Sequence, residues 1–441
     1  MSNFYLILYI LLWFVTFIFY QRRKKYFDAG SVLILTYLLY ASLSLLTFND
    51  KYAPVEYCEL QPFPFLYLYL MLMLASWPVY RYDQLKTRGI QSPSRLLLNT
   101  LIIIFIVSTL LNLVQQFPNL LSGFTRILID PTGGQDVYND IMQDSYDSGD
   151  GAISNLPSII SNALSNLGIL LFFYYLTLSN RSKLLSAGLL LSCLAIPFAS
   201  IATSQRGPVL EWLITLIITF FALRKFIPDT IKRKIRVCGI LIIILISTPI
   251  IIITLSRFGD NDNKKNNGGA LSSVLWYTGQ INLNFNCYGL DNGGIRYGDR
   301  TFPMFKKMAG FDNVPNNFWE RRRKYPDLKV NDGVFIGFVG DFTLDFGPYL
   351  VPIIFLLFTF YFLHKTRRRK GKLLFHQVIY LHLVMCICMQ GSVKLFSFAD
   401  MGGLKLITYV LAYYYFRLDY ESTNRKLLKK SMNNTKSELT I

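Results

Sequence analysis

Apolar stretches of membrane length recur along almost the whole chain, and this pattern limits the fold more than any other feature. A helix needs roughly 17–25 apolar residues to cross a bilayer, because each backbone N–H and C=O inside the hydrocarbon must find its partner within the segment. Runs that meet or approach this length cover residues 3–20, 30–48, 63–80, 96–114, 158–179, 184–203, 207–223, 238–256, 348–364, 374–392 and 403–417. The expected fold is therefore all-α: a single polytopic membrane domain over 1–441 with about 11 transmembrane helices. The first run has no small-residue cleavage site before QRRKK and reads as a retained helix. Only Ser204, Gln205 and Arg206 separate the sixth and seventh runs, which predicts a tight hairpin. The last run is the weakest, since Tyr413, Tyr414 and Tyr415 suit an interface as well as a core.

The chain is 52% hydrophobic and 16% charged, against about 25% charge in soluble proteins. That excludes a disordered chain and an ordinary soluble enzyme. A net charge of +18 invites a nucleic-acid reading, but the cations sit between the apolar runs. Segments 21–28, 81–95, 180–183, 224–237, 365–373 and 417–441 hold 28 Lys and Arg against 6 acidic residues. Segments 49–62, 115–157, 204–206, 257–347 and 393–405 hold 17 basic and 20 acidic residues. Basic loops stay cytoplasmic. The expected topology has the N-terminus outside, the C-terminus inside, a cytoplasmic basic tail over 418–441 and a large outer loop, 257–347, between helices 8 and 9. The basicity is then topological, and nucleic acid is not an expected partner. Two outer loops, 115–157 and 257–347, are long enough to imply work done on that side, where nucleoside triphosphates are lacking. The sequence shows no internal repeat, no Walker-type loop and no dinucleotide fingerprint.

Arg206 is the first chemical candidate. It lies in Thr203-Ser204-Gln205-Arg206-Gly207-Pro208, at the expected outer mouth between two closely joined helices, and a guanidinium there suits bidentate phosphate contacts. An interfacial arginine reaching for water occupies the same position. Glu211 is deeper on the same helix, where an ionisable residue is costly and faces a cavity or partner. It reads as a general base, an organiser of arginines, or a structural hydrogen-bond acceptor. Arg257 marks where helix 8 would emerge. Arg296, Asp299 and Arg300 lie in a glycine-rich segment suited to an oxyanion, though an exposed polar loop looks the same. The run Arg321-Arg322-Arg323-Lys324 reads as a solvated face or a headgroup patch. Tyr277, Asn282, Asn284, Phe285 and Asn286 alternate aromatic faces with amides, as sugar rings require, or form an interfacial helix. Asp260 and Asp262 have a spacing open to a divalent ion, yet the surrounding polar string reads as a loop, and no metal is expected. His364, His376 and His382 fall toward the inner side. Cys58 and Cys287 are both outer and can pair; Cys193, Cys238, Cys386 and Cys388 read as packing residues.

With these residues placed, the chain resembles the bacterial O-antigen polymerases, the Wzy-type oligosaccharide repeat-unit polymerases. The resemblance rests on the layout of spans with one large outer loop before the last few helices. Locally it rests on Ser204 to Gly207, Ser256-Arg257-Phe258, the stretch from Tyr277 to Asn286, and Gly340-Asp341-Phe342-Thr343-Leu344-Asp345-Phe346-Gly347. It implies a glycosyltransferase on the outer face of the bacterial plasma (inner) membrane. A growing glycan would pass from undecaprenyl pyrophosphate to the terminal sugar of another lipid-linked unit, for O-antigen or capsule. The activated lipid carries the energy, so no soluble cofactor is implied. A chain-length regulator and a flippase of the same pathway are implied as partners. The family's dependence on outer arginines maps best onto Arg206, and less securely onto Arg257, Arg296 and Arg300. The resemblance makes Arg206, Glu211 and Arg257 catalytic, and Arg296, Arg300, Tyr277, Asn284, Asp299 and Asp341 substrate-binding. Glu211, Asp299 and Asp341 are, in that order, the acids able to serve the attacking hydroxyl. Related ligases use an outer-loop histidine, which this chain lacks. The rival expectations are a lipid-linked oligosaccharide flippase, a polytopic glycosyl or acyl transferase acting on a surface polymer, and a non-enzymatic scaffold.

Overall fold

The computed structural model describes residues 1–129, 137, 156–258, 269–316, 318–330, 334–368, 371–390, 398, 399 and 401–438. The described residues are mostly helical. Helices fall on the apolar runs: α1 Ser2–Lys24, α2 Ala29–Phe48, α3 Pro62–Arg81, α4 Arg95–Ile129, α5 Leu156–Thr177, α6 Lys183–Ala202, α7 Arg206–Leu223 and α8 Asp229–Phe258. Then come α9 Gly269–Tyr288, α10 Pro303–Met308, α11 Phe318–Lys324, α12 Gly337–Phe346, α13 Val351–Lys365, α14 Phe375–Gln390 and α15 Met401–Glu438. Among the described residues, the six helices α1 to α6 are long and apolar enough to cross a membrane. α13 and α14 are shorter apolar helices.

Four departures from the expectation are local. α4 runs on to Ile129, so the first part of the segment read as loop 115–157 is helical. Apolar Leu120, Leu121 and Phe124 continue the pattern, and Gly123 lets the helix pass against the Ala202 carbonyl at the end of α6. The segment 257–347 is folded rather than a plain loop, since it holds α9 to α12. The tail beyond 417 continues α15 as helix to Glu438. Finally, β1 Gly89–Gln91 and β2 Lys372–Leu374 form a two-stranded parallel sheet, with Ile90 opposite Leu373.

α14 is the centre of the bundle. Every residue from Phe375 to Met389 is buried, as expected of a helix that is apolar on all sides. It packs on α3, α7 and α15. Its polar groups are met by those neighbours: His382 bonds Thr219 Oγ1 of α7 at 2.7 Å and Tyr409 OH of α15 at 2.6 Å. α9 packs on α2 through small and polar groups. Ser44 Oγ donates to the Gly279 carbonyl at 2.7 Å, and Asn282 Nδ2 donates to Ser44 Oγ at 3.0 Å. A Cβ on Gly279 would lie 2.6 Å from the Leu43 carbonyl oxygen, so glycine permits the close approach.

The connecting segments gather at two ends. At the basic end, Lys24 Nζ donates to the Tyr82 carbonyl at 2.6 Å, Lys225 Nζ to the Thr87 carbonyl at 2.9 Å, and Arg95 to the Asn180 carbonyl at 2.6 Å. The Ser94 amide reaches Asp419 Oδ2 at 2.8 Å, and the β1–β2 pairing lies here too. At the other end a disulfide joins Cys58 to Cys287, with their Cα atoms 5.7 Å apart. There the Gln61 amide donates to Asn286 Oδ1 at 2.9 Å, and Tyr67 OH to the Pro348 carbonyl at 2.6 Å. These contacts join segments that the charge pattern assigns to one side.

Candidate functional site

The turn between α6 and α7 sets the position of Arg206. The amides of Thr203, Ser204 and Gln205 return to the carbonyls of Ala199, Ile201 and Ser200 at 3.1, 2.9 and 2.8 Å, which closes α6. Ser204 takes the left-handed conformation, φ 53°, and extended Gln205 then opens α7. Gly207 and Pro208 occupy the first turn, where proline loses no hydrogen bond. Arg206 is therefore the first residue of α7, as the hairpin reading requires. Its guanidinium lies 5.6 Å from the centroid of the Tyr277 ring on α9. Tyr277 in turn meets Phe335 edge-on, with centroids 4.9 Å apart.

A cavity of about 330 Å³ lies among α4, α5, α6, α7 and α15. Gln205, Glu211, Trp212, Asn112, Ser165, Asn166 and Lys405 help line it. Glu211 Oε1 accepts from Lys405 Nζ at 3.0 Å and from Asn166 Nδ2 at 3.3 Å. The two charged side chains are 10% and 19% exposed. The pair neutralises what would otherwise be an isolated charge between apolar helices. Three buried polar atoms on the cavity wall, Asn112 Oδ1, Ser165 Oγ and Trp212 Nε1, have no hydrogen-bond partner among the described residues.

The expected substrate-binding groups of the segment 289–349 are placed differently. Arg296, Asp299, Arg300 and Asp341 are each no more than 2% exposed. Arg300 Nε binds Asp341 Oδ1 at 2.7 Å, and another Arg300 nitrogen reaches the Val334 carbonyl at 3.1 Å. Arg296 donates to the Val330 carbonyl at 3.3 Å. Asp299 is bound by Lys306, by Lys324 at 2.7 Å and by Tyr325 OH at 2.8 Å. The run 321–324, read as a solvated face or headgroup patch, partly turns inward: Arg321 is buried and donates to the Asp299 carbonyl at 3.3 Å. These charges help hold the segment's fold, buried beside apolar Val330, Ile336, Phe338 and Leu344. Asn284 is likewise buried and donates to Gln280 Oε1 at 3.1 Å and the Phe335 carbonyl at 2.9 Å. One strand of contacts links the two regions, since Tyr277 and Asn284 touch Phe335 while Arg300 holds the adjoining Val334.

Burial opposes ionisation of Asp299, but the bonds from Lys306, Lys324 and Tyr325 outweigh it and hold its carboxyl below the usual range. Asp345 shows the opposite balance. Burial drives its carboxyl up to about 6, although the Thr301 and Arg300 amides donate to it at 2.6 and 3.2 Å.

Arg257 lies at the end of α8, and its side chain is outside the described residues. Asp260 and Asp262 are also outside them. Lys405 was missed by the sequence reading. It lies 194 residues from Glu211, at the edge of an apolar run, and only its excess cost inside such a run marks it. Comparison of the chain with models of known families, with curated proteins and with solved structures finds no match.

Proposed function

We propose that the chain polymerises lipid-linked oligosaccharide repeat units, transferring a growing glycan from undecaprenyl pyrophosphate to the terminal sugar of another lipid-linked unit. The reaction would run on the outer face of a bacterial plasma membrane, for O-antigen or capsular polysaccharide. One observation carries the reading: Arg206, seated on Tyr277, opens α7, the helix whose Gln205, Pro208 and Glu211 line a cavity that holds the Glu211–Lys405 pair between apolar helices. Departure of the lipid pyrophosphate builds negative charge on the leaving oxygen. A permanently charged guanidinium beside the N-terminal amides of α7 opposes that charge where little water competes. The hydroxyls and amides of the cavity wall suit the acceptor sugar, and the Glu211 carboxylate suits the hydroxyl that attacks. Lys405 and Asn166 orient that carboxylate. Arg257 remains a second expected cation for the pyrophosphate. Asp299, Arg300, Arg296 and Asp341 serve by shaping the segment whose Phe335 packs against Tyr277.

The disulfide between Cys58 and Cys287 supports the outer placement of this end, since such bonds persist in oxidising compartments. A polar cavity with an ion pair among spanning helices also suits a transport path, which keeps the flippase reading in view. Arg206→Ala separates the two. Polymerase loss leaves single repeat units on the surface anchor and no long chains, with activity down about a hundredfold or more. Flippase loss strands lipid-linked units inside. Normal long polymer from Arg206→Ala at normal protein level overturns the proposal.

A further inference from the structure

We infer that the basic end of the bundle carries a binding site for an anionic phospholipid, its phosphate held by Arg81, Arg367 and Arg368 and its acyl chain laid along α13. Two recesses, about 590 and 420 Å³, share His364, Arg367 and Arg368. The larger is walled by Arg81 and Pro78 at the end of α3, by Phe360 and Leu363 of α13, and by Leu381 of α14. Among the described residues, no carboxylate lines it. The smaller adds Lys365 and Arg417, the latter bonded to Glu421 at 2.8 Å. Asp83 offers Arg368 its backbone carbonyl at 3.3 Å, while its carboxylate accepts from Tyr26 at 2.8 Å.

The charge rule for membrane loops explains why cations lie at this end. It does not explain why three guanidinium groups from two separate segments border one recess with an apolar wall. The end of α13 contributes about half a negative charge, which three full positive charges outweigh. Guanidinium forks match phosphate oxygens, and basic pockets between spanning helices take anionic headgroups. A free phosphate would need only the cations. The wall speaks for a lipid: exposed Ile353, Leu357 and Phe360 form one stripe of α13 that leads to His364. A headgroup at the arginines thus has an apolar track for its chain. The site stands apart from the cavity at Glu211 and does not depend on the polymerase reading.

The test uses the full chain, stripped of lipid and reconstituted in phosphatidylcholine vesicles with or without phosphatidylglycerol. Native mass spectrometry then counts retained phospholipid. The parent should retain phosphatidylglycerol over phosphatidylcholine at least tenfold, and Arg367→Gln with Arg368→Gln should remove that preference. Lys86→Gln with Lys372→Gln, which changes two exposed cations of the same end outside the recess, should leave it unchanged. Equal losses in both double variants would show a general charge effect and overturn the site. Release of the lipid by millimolar inorganic phosphate would identify a free phosphate as the ligand and overturn it too. A second variant keeps every cation: Phe360→Trp should gain fluorescence that phosphatidylglycerol brominated on its chain quenches more than brominated phosphatidylcholine does. Equal quenching by the two lipids overturns the proposal.

Discussion

Two arginines that look alike in the sequence part company in the structure. Arg206 is half-buried at the start of α7, whereas Arg300 is fully buried against Asp341. Removing one partner of a buried pair leaves the other charge stranded, at a cost of about 3–5 kcal/mol. Arg300→Leu should therefore lose folded protein, seen as aggregation on size-exclusion chromatography, whereas Arg206→Ala should keep its elution and lose its polymer. A glycine-rich segment with several charges reads the same whether the charges face a substrate or one another, which is why the sequence did not separate these roles. The two aspartates differ in a way that pH reveals. Asp345, raised from 3.8 to about 6, takes up a proton in the folded state where the unfolded chain does not. Stability then falls as pH rises between about 4 and 6. Asp299, held below 3.8, works in the other direction and loses its contribution as pH falls below that value. Thermal unfolding in detergent should show Asp345→Asn flattening the upper window and Asp299→Asn flattening the lower one.

Helices were legible because the hydrocarbon demands internal backbone pairing, so each apolar run became a helix wherever its flanks were polar. What the runs did not show was how far each helix outlasts its apolar core. α15 continues to Glu438 over residues rich in Lys, Leu and Glu, which keep good propensity, whereas α4 continues to Ile129 through Pro118 and Gly123, where its packing against α6 and not propensity carries the helix. Interfaces between helices were also hidden, because they rest on single small residues. Gly279 is the clearest case: α9 meets α2 there, with the Leu43 carbonyl in the way of any larger side chain. Gly279→Leu should push α9 off α2, break the Ser44 bond and displace Tyr277 from beneath Arg206. The expected result is a lower unfolding temperature in detergent together with shortened polymer, while Gly239→Ala, at a position with open space around it, should change neither.

At the scale of the whole molecule, the division into two ends rests on independent kinds of evidence. Charge separates the connecting segments into a basic and a mixed set, and the contacts unite members within each set. Cys58 with Cys287 and Gln61 with Asn286 join the mixed set, and Lys225 with Thr87 and Ser94 with Asp419 join the basic one. Neither observation states which end faces the cytoplasm. The proposed topology, with the basic end in the cytoplasm, draws on the positive-charge bias and the disulfide. Tyr349, 92% exposed at the mixed end, and Leu85, 57% exposed at the basic end, are suited to asking the molecule directly. With Cys193, Cys238, Cys386 and Cys388 replaced by serine and the disulfide kept, a membrane-impermeant maleimide applied to intact cells or spheroplasts should label Tyr349→Cys and leave Leu85→Cys untouched until the membrane is opened. The reverse pattern would put Arg206 and its cavity on the cytoplasmic side. Chain growth on a lipid pyrophosphate at the outer surface could then no longer be the work of that cavity, and the Arg206→Ala phenotype would need another cause.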